Sequence, residues 1–332
     1  MMHKSLISIL CNCLLCLATN VLAQDSHFSQ FYANRLNLNP AWAGVGEENR
    51  VFINYRNQYP GIGSIYKTYT LSYDQYVENL HGGLGLSFSN DVQGSGAMNQ
   101  MVFSSMYSYH FKASRSLSFS GGIQAAAISR TVVSSGFEFA DQYDPATGTV
   151  NHGGGSESYP NSSSFFPDFS FGAAGFHNEF YGGVSLFHVL KPFQSPNKSE
   201  ESRLPRKFTL FAGTYIPVYE RRLGKEVLKL NPNVIYIQQK DLSQLVYGLE
   251  SVYKSKYIAG LWLRQNLGLK YSSLIVSGGV VFDTMRLRYS YDAQFSHPTI
   301  QIPRLGAHEI SLILLVADNK KIKHKAIKCP KI

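Results

Sequence analysis

Charge is scarce in this chain, cysteine is nearly absent from its main part, and no long apolar run follows its first two dozen residues. Only 16% of the 332 residues are Asp, Glu, Lys or Arg, against roughly 25% in soluble domains. Cys11, Cys13 and Cys16 all fall near the N-terminus, which leaves Cys329 as the one cysteine of the remainder. An internal disulfide framework is thereby excluded, and the fold has to hold by backbone pairing and burial. After residue 23 no apolar run approaches the roughly 20 residues of a spanning helix, which excludes a helical membrane protein. Catalytic motifs are missing as well. There is no Gly-x-Ser-x-Gly elbow, and Gly61-Ile62-Gly63-Ser64 reads as a hairpin turn. Gly82-Gly83-Leu84-Gly85 and Gly94-Ser95-Gly96 lack the Lys-Ser/Thr ending of a phosphate loop. Asp141, Asp144 and His152 lack the compact spacing of a metal site. His110, His188 and Glu309 sit on separate expected strands, so nothing in their spacing makes them a catalytic group. We expect no enzyme, no cofactor and no metal.

The N-terminus is that of an exported protein. Met1 to Lys4 carries one positive charge, Leu6 to Ala18 is apolar, and Val21-Leu22-Ala23 supplies small residues before Gln24. These are the charged, apolar and cleavage regions of a secretory signal peptide, residues 1–23, with cleavage between Ala23 and Gln24.

Aromatic residues are abundant, with 21 tyrosines and 21 phenylalanines, and they alternate with small polar ones. Met285, Leu287, Tyr289 and Tyr291 alternate with Arg286, Arg288, Ser290 and Asp292. Leu84, Leu86 and Phe88 alternate with Gly83, Gly85, Ser87 and Ser89, and Phe103, Tyr107, Tyr109 and Phe111 alternate with Ser104, Met106, Ser108 and His110. Successive side chains of a strand point to opposite sides, so each such strand offers one face to lipid and one to water. The pattern recurs along the chain, near 50–58, 64–76, 80–91, 99–111, 115–130, 168–177, 178–190, 206–218, 227–239, 242–253, 256–267, 271–283, 285–295 and 306–316. The fold class expected is all-β: a transmembrane outer-membrane barrel of about 14 antiparallel strands over residues 50–316.

The connections have a polarity. Thr131–Pro167, Lys191–Pro205 and Ser296–Leu305 are long and share one parity, whereas Val77–Asn79, Lys112–Ser114 and Lys254–Ser255 are brief and share the other. Tyr219–Glu226 is long among the second set, and Lys240–Asp241 and Gly268–Lys270 are short among the first, so the polarity is a trend. Outer-membrane barrels keep short turns in the periplasm and long loops outside, which puts both chain termini in the periplasm. Residues 317–332 form a basic periplasmic tail in which six lysines face one acid, Asp318. Lys320, Lys321, Lys323, Lys325 and Lys328 are its candidate contacts to an acidic periplasmic partner. The positive balance is thus mainly a tail and not a nucleic-acid stripe. Arg286, Arg288 and Asp292 are candidate lumen residues.

Residues 24–49 show no strand period and read as an ordered periplasmic segment, a partial plug at that mouth. Within them, Phe28-Ser29-Gln30-Phe31-Tyr32 and Asn39-Pro40-Ala41-Trp42-Ala43-Gly44 closely resemble the opening elements of the PorP/SprF family. These are outer-membrane proteins linked to the type IX secretion system of Bacteroidetes. Phe28, Gln30, Tyr32, Asn39, Pro40, Ala41 and Gly44 carry that resemblance. Asn54-Tyr55-Arg56-Asn57-Gln58-Tyr59, Pro167-Asp168-Phe169-Ser170-Phe171-Gly172, His188-Val189-Leu190-Lys191-Pro192 and His308-Glu309-Ile310-Ser311-Leu312 extend it across the chain. The last strand ends in Leu315-Val316 and not in the terminal aromatic common in outer-membrane barrels. The resemblance implies a non-catalytic partner of secreted adhesins, including gliding-motility adhesins. It would be embedded in outer-membrane lipid, engage the adhesin C-terminal domain, and contact type IX core or periplasmic ring components. A porin or solute channel is the alternative, with Arg286, Arg288 and Asp292 lining a water-filled pore.

Overall fold

The computed structural model describes residues 25, 28–46, 48–60, 66–133, 143–144, 147, 149–150, 161–195, 202–220, 226–267, 272–295 and 306–316. Alternating sequences become long antiparallel strands: β1 (Asn49–Gln58), β2 (Tyr66–Val77), β3 (Gly82–Gln93), β4 (Met98–Lys112) and β5 (Leu117–Val132). A two-residue ribbon, β6 (Tyr143–Asp144) and β7 (Thr149–Val150), lies in the longest connection. There follow β8 (Ser162–His177), β9 (Phe180–Phe187), β10 (Lys207–Thr214), β11 (Ile216–Glu220), β12 (Glu226–Gln239) and β13 (Leu242–Tyr253). The series ends with β14 (Tyr257–Asn266), β15 (Ser272–Val281), β16 (Met285–Phe295) and β17 (Gly306–Val316).

Each barrel strand pairs with its neighbour in sequence, and β1 pairs with β17 from Asn49↔Val316 to Gln58↔Ala307. That last ladder removes the free edges. Counting β10 and β11 as one interrupted strand, since both pair with β12, the result is a closed 14-strand antiparallel barrel. Among the described residues no helix is long and apolar enough to cross a membrane; the crossing is made by strands.

The two faces separate as the alternation requires. Leu86, Phe88, Phe103, Phe119, Leu287 and Tyr289 are exposed on the outside, and Ser87, Ser104, Ser120, Arg288 and Ser290 are buried inside. An outward apolar belt around a polar interior is the arrangement stable in lipid. Turns agree in chemistry: Lys254 and Ser255 both take positive φ between β13 and β14, as a type I′ hairpin needs.

Three strands depart most from expectation, each for a physical reason. β8 begins at Ser162, six positions before the expected Asp168, and carries Pro167 within it. Proline lacks the donor a central strand needs, but β9 pairs with β8 only from Phe171 onward, so Pro167 has a partner strand on one side alone. β9 stops at Phe187 because His188 and Lys191 turn the chain with positive φ. The expected strand 206–218 is interrupted at Tyr215, which turns inward, is buried, and donates its N–H to the Glu179 carbonyl.

Candidate functional site

The barrel interior is occupied by its own N-terminal segment. Asp25 lies at the mouth of the long connections, donating its N–H to Gln239 and pairing with His188 and Lys207. Gly44 lies at the short-turn mouth, donating its N–H to Asp74 on β2. The chain between them crosses the whole lumen. This is more than the partial plug at the short-turn mouth expected from the sequence. The physical reason is that both aromatic and Asn-rich elements find partners on opposite inner walls, at different depths.

The first element, Phe28–Tyr32, is held by charge. Glu309 on β17 accepts the N–H groups of Ser29 (2.7 Å) and Gln30 (3.0 Å), one on each carboxylate oxygen. The Ser29 hydroxyl donates to Asp292 at 2.5 Å and accepts from Arg56 and Arg264 at 2.5 and 2.8 Å. Arg56 bridges Asp292 and Glu309, and Arg264 pairs with Asp292 at 2.9 Å. Two cations and two anions are therefore buried around one hydroxyl. Charges are costly to bury unless paired and hydrogen-bonded, and here each has partners of the opposite sign. Gln30 is fixed on both ends of its amide, donating to Ser290 and the Glu309 carbonyl and accepting from Ser311. Tyr32 stacks on Trp262 at 4.8 Å, with the Arg288 guanidinium 4.7 Å from its ring centre. Arg288 itself pairs with buried Glu250 at 2.6 Å.

The second element, Asn39–Gly44, is held by close approach. Asn39 caps a short turn begun by Pro40, accepting the Ala41 N–H at 2.8 Å, and its amide donates to the Ala173 and Val184 carbonyls of β8 and β9. Pro is well suited to that first position, where its missing N–H would have no helical partner. Wall hydroxyls satisfy the carbonyls of the segment: Ser185 donates to Leu38, Ser120 to Ala41 and Ser108 to Ala43, at 2.8, 2.7 and 2.6 Å. His110 also reaches the Ala43 carbonyl at 3.1 Å. The wall is stripped to glycine where the segment touches it. A Cβ at Gly172 would lie 1.9 Å from Asn39 Oδ1, one at Gly122 2.4 Å from the Ala41 nitrogen, and one at Gly83 2.0 Å from the Ala43 oxygen. Gly44 has φ +62° and no room for a Cβ, which would come within 2.5 Å of Gly83 Cα. Trp42 then fills the lumen beside it, packed on Phe176, Tyr181 and Phe211, while Arg35 lies over its indole at 4.7 Å.

The family model for the type IX secretion system membrane protein PorP/SprF matches residues 20–314. The chain belongs to the PorP/SprF family. No curated protein matches its sequence. Among solved structures, the Pseudomonas putida toluene transporter TodX is similar at 10% identity and a TM-score of 0.47, over 90% of this chain and 99% of that one. The Ralstonia pickettii toluene transporter TbuX is similar at 9% identity and a TM-score of 0.46, covering 85% and 92%. The Acinetobacter baumannii outer membrane protein Omp33 is similar at 7% identity and a TM-score of 0.44, covering 82% and 100%. This PorP/SprF protein is an outer-membrane β-barrel, and Phe28–Tyr32 and Asn39–Gly44 both lie inside the barrel.

The expected site residues take the following places. Gln30, Tyr32, Asn39, Pro40 and Ala41 are buried in the lumen, Gly44 closes the plug, and Phe28 lines the cavity above it. Arg288 and Asp292 face inward, where they are ion-paired beside Tyr32 and Ser29. Arg286 is half-buried on the same strand. Ala23, Gln24, Lys320, Lys321, Lys323, Lys325 and Lys328 lie outside the described residues. Sequence reasoning missed Arg56, Arg264 and Glu250, together with the wall glycines and serines. A usable signal existed for the charges: Arg56 and Glu309 stand in mid-strand at inward positions of a chain poor in charge. No such signal marks the glycines, which in a strand also read as bends or bulges.

At the long-connection mouth, His188 lies between Asp25 (2.8 Å) and Asp168 (2.9 Å), with Lys207 also 2.9 Å from Asp25. Burial opposes charge on His188, but the Asp25 carboxylate and the hydrogen bond to Asp168 outweigh it and raise its pKa to about 9. Burial likewise disfavours the Asp25 carboxylate, yet His188 and Lys207 bring its pKa well below the usual value.

Proposed function

We propose that this barrel serves type IX secretion without catalysing a reaction, as an outer-membrane anchor for a particular large surface protein, an adhesin of the gliding-motility type. One observation carries the reading: Phe28–Tyr32 and Asn39–Gly44, on which the resemblance to the family rests, are spent on fixing a plug across the lumen. Such an interior suits a closed, rigid wall better than an open permeation path. Family membership supplies the pathway. With the short turns in the periplasm, the long connections face outward and meet the C-terminal domain of the secreted protein. The tail bearing Lys320, Lys321, Lys323, Lys325 and Lys328 follows β17 on the periplasmic side, within reach of type IX core or ring components. In this orientation Asp25 stands at the outer mouth, so the processed N-terminus belongs to the cell-surface side of the plug.

Deletion of the gene followed by an inventory of surface proteins tests the role. The expected outcome is loss of one or a few very large proteins from the cell exterior while the others persist. An unchanged inventory would contradict it, and loss of small-solute uptake in its place would favour a channel.

A further inference from the structure

Above the plug, the lumen keeps a cavity of about 170 Å³. Phe31, Asn34 and Leu38 of the plug form its floor, β3–β5 one wall, and β8–β13 the other. Because the plug lies beneath it, a molecule entering from the long-connection mouth has to leave the same way. The space is therefore arranged for holding a ligand and not for passing one through.

Its lining states what that ligand has to bring. Asp168 is 1% exposed, and while its Oδ2 holds His188, no described residue donates to its Oδ1. The Gln124 side-chain oxygen and the Asn34 side-chain oxygen, both buried, also lack a donor among the described residues. Three buried acceptors at one cavity call for a ligand rich in donors, because an unmade hydrogen bond at a buried group is costly. An anion is disfavoured, since the lining cations His188 and Lys207 are already paired with Asp25. A cation gains little at Asp25 and Asp168, because His188 and Lys207 already balance them. A third lining carboxylate, Asp91, already accepts from Thr68 and Gln93 on its two oxygens, and the rest of the polar lining is neutral, with Ser87, Ser104, Gln100, Gln239 and Gln244 able both to donate and to accept. Phe28 and Phe31 add flat apolar surface. A cavity of roughly 150 Å³ admits benzene, so this one admits a single six-membered ring whose outer substituents extend into the open mouth.

We infer that the cavity above the plug is a binding site for one neutral sugar ring, whose hydroxyls donate to Asp168 and Gln124. The ring can come from a free monosaccharide or from the terminal residue of a glycan; the chemistry is the same. The inference stands on the cavity alone and does not depend on the role in secretion.

Saturation-transfer NMR on the purified full-length protein in detergent tests it with a panel of probes: glucose, galactose, mannose and N-acetylglucosamine, their methyl glycosides, galacturonate, and arginine amide. Neutral sugars are expected to give transfer, and galacturonate and arginine amide none. Asp168→Asn and Gln124→Ala should each weaken binding by about tenfold or more, as loss of a hydrogen bond to a charged or buried group implies. Asn is close in shape to Asp, and the heat-dependent gel mobility of both variants checks that the barrel still forms. Binding of methyl glycosides in preference to free sugars would identify a glycan end as the source, and the reverse a free sugar; either supports the site. Absence of transfer from every neutral sugar overturns the inference. So does preference for arginine amide or galacturonate, or sugar binding that folded variants of both residues leave unchanged.

Discussion

The two halves of the plug are held by different chemistry. Ser29 to Tyr32 meet β1, β14, β16 and β17 through arginines and carboxylates, so their attachment is electrostatic and made by side chains. Asn39 to Gly44 meet β3, β4, β5, β8 and β9 mainly through close backbone approach, glycine against backbone and serine to carbonyl, with a single carboxylate, Asp74 of β2, on the Gly44 N–H. The difference teaches where each half is vulnerable. The first fails when a charge loses its partner, and the second fails when a wall residue gains volume.

Glu309→Ala should have the largest effect. It leaves Arg56 with one partner fewer and the Ser29 and Gln30 N–H groups without an acceptor. Breaking a buried pair from one side typically costs about 3–5 kcal/mol. Denaturant titration followed by gel mobility should show that loss, and hydrogen exchange should rise over residues 28–32 before residues 39–44. Gly122→Val should come next, at about 1–3 kcal/mol from overpacking, with the order of loosening reversed. If both variants loosen both halves together, the plug is one cooperative unit and the comparison fails. Ser120→Ala should cost about 1 kcal/mol, since the Ala41 carbonyl loses its donor, and should leave the first half unchanged.

The smallest effect is expected at Asp25, and it depends on pH. His188 has its folded pKa raised to about 9 from its ordinary value of 6.5, so its contribution is complete below about 6.5 and disappears as pH rises through 9. Asp25 is lowered from 3.8, so its contribution is complete above about 4 and disappears in acid. Protection of the chain near Asp25 should therefore peak between about pH 4 and 6.5 and fall toward pH 9, while Asn39–Gly44 stays level between about pH 6.5 and 9. Exchange near Asp25 that does not change over this range would remove His188 from the account.

Much of the barrel was legible from residues alone, because a period of two is local. Leu287 and Tyr289 outward with Arg288 and Ser290 inward needed only one strand to be read, and closure followed from an even set of such strands. The site was less legible. Ser29 and Glu309 are 280 positions apart, and nothing local to either announces the other. Phe28–Tyr32 and Asn39–Gly44 could be recognised as elements, but not assigned to opposite walls, because they carry no period. Gly83, Gly122 and Gly172 read alike in sequence to any strand glycine until the plug lies against them. Arg288 and Asp292 could be read as inward charges from their strand alone, yet whether they met water or a plug rested on a segment more than 200 positions away.

Current across planar bilayers tests the plugged lumen most directly, with wild-type protein measured beside Glu309→Ala/Gly122→Val. The account predicts a silent wild type and steady conductance steps from the double variant, in which both halves of the plug are loosened while the barrel inserts. Large steady steps from the wild type would contradict it.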